Sequence, residues 1–124
     1  MPEKVSILED LKVIKIESWG DVNEKEMRVT LDEVLEIHKK RGYTKVFVDA
    51  SKMDSMPTTL PMFQFGSDMA ERVMSMKYAA FMSPKLLPDM DFLETVTRNR
   101  GMQVKMFNSE EAALEWLLAE PKTD

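Results

Sequence analysis

The spacing of apolar residues divides the chain into alternating β and α segments. Val5 to Glu9 and Val13 to Ser18 are short β-rich runs. The link between them, Asp10-Leu11-Lys12, is short enough for a hairpin. Trp19-Gly20 then breaks the pattern. Asn23 followed by Glu26 is a helix-start signature, a capping side chain with an acid three positions on. From there Met27, Leu31, Val34, Leu35 and His38 recur by threes and fours on one face, the spacing of a helix with one buried side. Lys39, Lys40 and Arg41 suit the negative end of that helix, and Gly42 supplies its stop.

The same reading continues to the end of the chain. Lys45 to Asp49 is a strand, and Asp49 to Pro61, rich in Ser, Thr, Met and Pro, reads as a loop. A second helix follows, with Met62, Phe65, Met69, Ala70 and Val73 on one side and Gly66 inside it. Lys77 to Met82 is the next strand. Ser83-Pro84 and Pro88-Asp89 punctuate the turn into a third helix, which carries Phe92, Leu93 and Val96 and stops at Gly101. Val104 to Phe107 is the last strand. Asn108-Ser109-Glu110-Glu111 caps a final helix that buries Ala112, Ala113, Trp116 and Leu117 and ends at Pro121. The order ββαβαβαβα predicts an α/β fold with a mainly parallel sheet, right-handed crossovers and an antiparallel first strand at the edge. With no internal linker or repeat, one domain over residues 1–124 is expected.

The strands alternate, whereas parallel strands covered on both faces read as unbroken apolar runs. Ile14 and Ile16 oppose Lys15 and Glu17; Val46 and Val48 oppose Lys45 and Phe47; Val104 and Met106 oppose Lys105 and Phe107. One sheet face is therefore expected to be apolar, with most helices packed on it, and the other to be mixed and partly open. Consecutive βα units stacked in sequence order would do this; a doubly wound sheet, with helices on both faces, is the alternative. Phe47, Phe81 and Phe107 on the mixed face permit a homodimer, since exposed aromatics mark interfaces.

Composition mainly removes function classes. The net charge of −5 over 124 residues argues against a nucleic-acid surface. The absence of cysteine removes disulfides, thiolate nucleophiles and cysteine-bound metals. No apolar run approaches the roughly 18 residues of a membrane span, and the N-terminal residues lack a signal-type apolar core, so a cytoplasmic protein is expected. The four glycines stand apart at positions 20, 42, 66 and 101 and build no phosphate loop. Asp49, Asp54, Asp89 and Asp91 lie near strand ends. A receiver-type magnesium site would also need paired acids after the first strand and a lysine after the last, and Trp19-Gly20 and Asn108-Ser109 stand there. His38, the single histidine, has no partner at a defined spacing with which to form a triad or metal site. The expectation is a non-enzyme without metal or cofactor.

Two segments carry a family resemblance. Lys45 to Ser55 resembles the strand and loop of anti-sigma-factor antagonist (STAS) domains. Met76 to Met82, Arg98 to Gly101, and Val104 to Leu118 with its Phe107, Glu110-Glu111, Ala112-Ala113 and Trp116-Leu117 are similar to the SpoIIAA-like branch of that superfamily. The resemblance implies a superhelix of four βα units with an extra N-terminal strand and no enzyme activity. Some family members are phosphorylated switches that bind partner proteins; others resemble lipid-transfer CRAL-TRIO domains and hold nonpolar ligands. Asp54-Ser55 match the Asp-Ser of the switch members, which makes Ser55 a candidate phosphorylation site, although Met56-Pro57 follow where those members have glycine.

A second candidate comes from the residues themselves. Ligands bind beyond the carboxyl ends of strands in open α/β sheets. The connections there carry Trp19, Met53, Met56, Leu60, Phe63, Leu86, Leu87 and Met90. Eight of the 12 methionines fall between Met53 and Met90, and methionine suits adaptable apolar walls. These residues either form a site for a lipid, another nonpolar molecule or a regulatory protein partner, or fold back to close the core. A binding or regulatory module is the expected function, and an antagonist controlled through Ser55 is the alternative.

Overall fold

Strands and helices alternate in the computed structural model, which describes residues 3–55, 59–73 and 75–119. β1 (Glu3–Leu8) and β2 (Val13–Asp21) form an antiparallel hairpin. Its turn is closed by the Leu11 amide donating to Leu8 O at 3.1 Å. α1 (Glu24–Arg41) begins where Asn23 Oδ1 accepts from the Glu26 amide at 2.8 Å. It ends at Gly42, whose φ of +74° is the left-handed cap that glycine adopts without strain. The Gly42 amide donates to His38 O at 2.8 Å, and His38 Nδ1 lies 2.8 Å from Tyr43 O. The single histidine thus ties down a helix end.

β3 (Lys45–Ser55) is longer than the alternation predicts, because residues 50–55 are strand rather than loop. β2 likewise runs through Trp19-Gly20 instead of stopping there. The two extensions account for each other: Trp19 pairs with Lys52, Gly20 with Met53 and Asp21 with Ser55. Register shifts fall at the start of this stretch, between Glu17 and Trp19, and within it, between Gly20 and Asp21. Gly20, at φ +64°, supplies the backbone freedom that such irregularities use. Ser51, Lys52 and Asp54 have weak strand preference of their own; the neighbouring ladder holds them extended.

α2 (Thr59–Arg72), β4 (Lys77–Met82), a 3-10 turn (Pro84–Leu86), α3 (Leu87–Arg98), β5 (Gln103–Phe107) and α4 (Glu110–Leu118) follow. Ser109 is the cap of α4, accepting from the Ala112 amide at 3.2 Å; Pro121 lies outside the described residues. The sheet order is β1-β2-β3-β4-β5, antiparallel only between β1 and β2. Stacking in sequence order is thus observed, and the doubly wound order is not.

Pairing register sets up two faces. Ile14, Val46, Tyr78 and Val104 form one row, and Ile16, Val48, Ala80 and Met106 the next. Both rows face α1, α2 and α3 in the larger core. α4 packs on the opposite face, where Ala113 and Leu117 meet Val13, Phe47 and Ala79. Lys77 Nζ donates to Trp116 O at 2.7 Å and stands 4.4 Å from the Trp116 ring, which pins the end of α4 to β4. Phe47 is buried, Phe81 and Phe107 are half-buried, and Phe107 lies 5.9 Å from Trp116. The aromatic trio expected to support a homodimer is largely covered by the chain's own last helix.

Candidate functional site

α1 rests on β1 and β2, and α3 rests on β5; α2 packs against α1 and α3, and its Phe65, Met69 and Ala70, with Val73 just beyond its end, share the larger core with the sheet. Gly66 is one cause of the contact with α3. A Cβ there would come within 3.0 Å of Leu93 Cδ1 and 3.1 Å of Val96 Cγ1, so its absence lets α2 sit close on α3. The side chains between α2 and the middle of the sheet leave a cavity of about 80 Å³. Phe65 and Met69 of α2, Met27 and Leu31 of α1 and Leu93 of α3 line it from the helix side. Ile16, Val48, Ala80, Val104 and Met106 line it from the sheet, and Met53 joins them from the extended part of β3. Val48 faces the helices from the middle strand, between Ile16 and Ala80, yet it is only half-buried. A residue so placed is normally sealed; the unfilled space above it is the reason.

The lining also has polar members. Ser18 Oγ donates to Glu3 Oε2 at 2.6 Å. Glu3 Oε1 is buried and has no hydrogen-bond partner among the described residues. Burial is the main cause that lifts the Glu3 pKa above its ordinary value; the Glu26 and Glu33 charges add to it, and the Ser18 and Thr30 side chains oppose it. Tyr78 lines the same cavity and is 5% exposed. Burial, and then the Glu3 charge, push its phenol well above its usual range. The Thr97 hydroxyl is occupied, donating toward Leu93 O and Glu94 O, each at 3.0 Å.

The residues singled out by sequence are dispersed. Met53 is buried and lines the cavity; Leu86 is buried in the same core without lining it. Trp19 is 41% exposed and Phe63 44% exposed, with the Arg100 guanidinium 6.0 Å from the Phe63 ring. Met56 lies outside the described residues, as do the side chains of Leu60, Leu87 and Met90. Among the described side chains, Met53 alone of that set reaches the cavity. Ser55 is the last residue of β3, its Oγ donating to Asp21 Oδ1 at 2.7 Å, and α2 starts only at Thr59. Asp49 accepts from the Ser51 amide and hydroxyl, and Asp54 pairs with Lys85 at 3.6 Å. Among the described residues no group of three or more His, Cys, Asp or Glu is arranged to hold a metal ion.

Glu3, Ser18 and Tyr78 escaped the sequence reading, although a signal existed. Ser18 continues the inward parity of Ile14 and Ile16, and Glu3 stands opposite Ser18 across the hairpin. Polar residues at inward positions of two adjacent strands mark a polar spot on an apolar face.

This geometry can be set beside known proteins. The model of the SpoIIAA-like family matches residues 13–118. The chain belongs to the SpoIIAA-like family. A crystal structure of a Shewanella loihica protein described as uncharacterized, with a SpoIIAA-like fold, aligns over 93% of each chain with a TM-score of 0.61 and 13% identity. At that identity the likeness shows the fold and nothing finer. No curated protein matches the chain. The SpoIIAA-like match begins at Val13, so Glu3 and the rest of β1 lie outside it. No helix among the described residues is long and apolar enough to cross a membrane.

Proposed function

We propose that this SpoIIAA-like chain is a non-enzymatic binding module that takes up a nonpolar small molecule between α2 and the sheet. The cavity over Val48 carries this reading. Its size of about 80 Å³ is roughly half that of an engineered apolar cavity that stays dry and binds benzene, at about 150 Å³. Four methionines line it, Met27, Met53, Met69 and Met106. Their unbranched side chains change rotamer at little cost, so the space enlarges for a ligand longer than the resting void. No basic side chain stands among the lining residues and Glu3 is the single carboxylate there, which fits binding better than chemistry.

Methionine methyl NMR tests this directly. On titration with cyclopentane, the methyl signals of Met27, Met53, Met69 and Met106 should shift together. Those of Met76, Met82 and Met102, buried but outside the lining, should stay. A spectrum that does not respond, or that moves uniformly, removes the proposal. The competing reading is a phosphorylation-controlled antagonist acting through Ser55. Phosphate there would displace the Ser55 bond to Asp21 and set like charges side by side. A stoichiometric phosphate in the intact mass of native protein, lost in Ser55→Ala, would favour that reading instead.

A further inference from the structure

We infer that the cavity selects an amphiphile whose polar end is a hydrogen-bond donor, an alkylammonium above all, seated against Glu3, and that it rejects carboxylate-headed molecules. The inference rests on the cavity reading and adds the head-group chemistry to it. The void itself is apolar, but its polar members are unequally satisfied. Ser18 serves one oxygen of Glu3, while Oε1 is buried with no partner among the described residues. A buried acceptor left unpaired is destabilising and rare in native structures. Glu26 Oε2 is in the same condition, and the Glu26 and Glu33 charges both act on Glu3. No lysine, arginine or histidine is among the lining residues. The Tyr78 hydroxyl belongs to the same lining, within electrostatic reach of Glu3, and no described residue forms a hydrogen bond with it.

Oε1 therefore lacks a donor and the lining lacks a positive charge, although the Thr30 and Tyr78 hydroxyls stand in that lining. An ammonium group supplies both: it donates to Oε1, offsets the mutual repulsion of the carboxylates and leaves its alkyl chain in the void over Val48. A neutral alcohol supplies only the donor. A carboxylate supplies neither and adds to the repulsion. The one arrangement that would reverse this order is a protonated Glu3 donating to the ligand's own carboxylate, and the experiment separates the two.

The probes are n-butylammonium, butan-1-ol and butyrate, which share a chain of similar bulk, with xenon as a headless reference. Binding is read at the Met27, Met53, Met69 and Met106 methyls. The ammonium should bind at least tenfold tighter than butyrate, with the alcohol between them. Glu3→Gln should erase the preference for ammonium over alcohol and leave xenon binding intact. Tyr78→Phe, a second variant that keeps the ring, should weaken the alcohol and the ammonium without changing xenon. Butyrate binding equal to or tighter than butylammonium overturns the inference, as does an undiminished ammonium preference in Glu3→Gln; in either case the xenon response shows that the cavity reading survives. Silence toward all four probes overturns both.

Discussion

Replacing Ala80 by valine is expected to stabilise the protein, which is the opposite of what the same change does in a filled core. Ala80 sits on β4 between Val48 and Met106, and its side chain borders the cavity. Valine adds two carbons, each worth about 0.8 kcal/mol when buried, or about 1.6 kcal/mol together. Filling roughly half of the 80 Å³ recovers about 1 kcal/mol more at about 24 cal/mol per Å³. The β-branched side chain suits a strand, and ordering it costs a few tenths to about 1 kcal/mol. The net is a gain of about 1.5–2.5 kcal/mol. If the sheet centre were already packed, the added methyls would instead cost about 1–3 kcal/mol through overpacking. Urea unfolding decides between the two: the midpoint should rise with the slope unchanged. A midpoint that falls refutes the void over Val48. The same variant should weaken cyclopentane binding, since ligand and methyls compete for one space.

Three further outcomes follow from particular contacts. Glu3 titrates above its ordinary carboxylate value of 4.5, chiefly through burial and also through the Glu26 and Glu33 charges on α1. The unfolded chain therefore releases this proton first, and stability is lost as pH rises from about 4.5 through the raised folded value; urea unfolding across that window should show the loss in the parent and its absence in Glu3→Gln. Asn23→Ala removes the cap that accepts from the Glu26 amide and should lower stability by about 1 kcal/mol, read as a shifted urea midpoint. Lys77→Met keeps the apolar stem but loses the ammonium at the Trp116 carbonyl and ring; a cost of about 1–2 kcal/mol is expected, with faster hydrogen exchange in α4 than in α1.

Element order, the antiparallel edge, the sequential stacking and the crowding of helices on one face were all legible, because strand alternation and helix caps are local features. Asn23 and Gly42 mark the two ends of α1 as their chemistry requires. The long ends of β2 and β3 were not legible, since the pairing of Trp19–Asp21 with residues 52–55 belongs to two segments at once and neither shows it alone. The cavity was hidden for a related reason. It depends on how the side chains of α2 meet those of the sheet and of α1 and α3, a property of packing that no periodicity encodes. Of the large apolar side chains near the strand ends, Met53 lines the cavity, while Trp19 and Phe63 lie at the surface. Starting the first strand at Val5 left Glu3 out of view, and with it the polar end of the site.

A crystal held under xenon pressure probes the space beneath α2 most directly. Xenon is expected in contact with Val48, Ala80 and Met69, with the backbone of α2 unmoved. A crystal that takes up xenon elsewhere and shows a methionine side chain lying across Val48 would mean that the interior is already full and that this chain has no ligand chamber there.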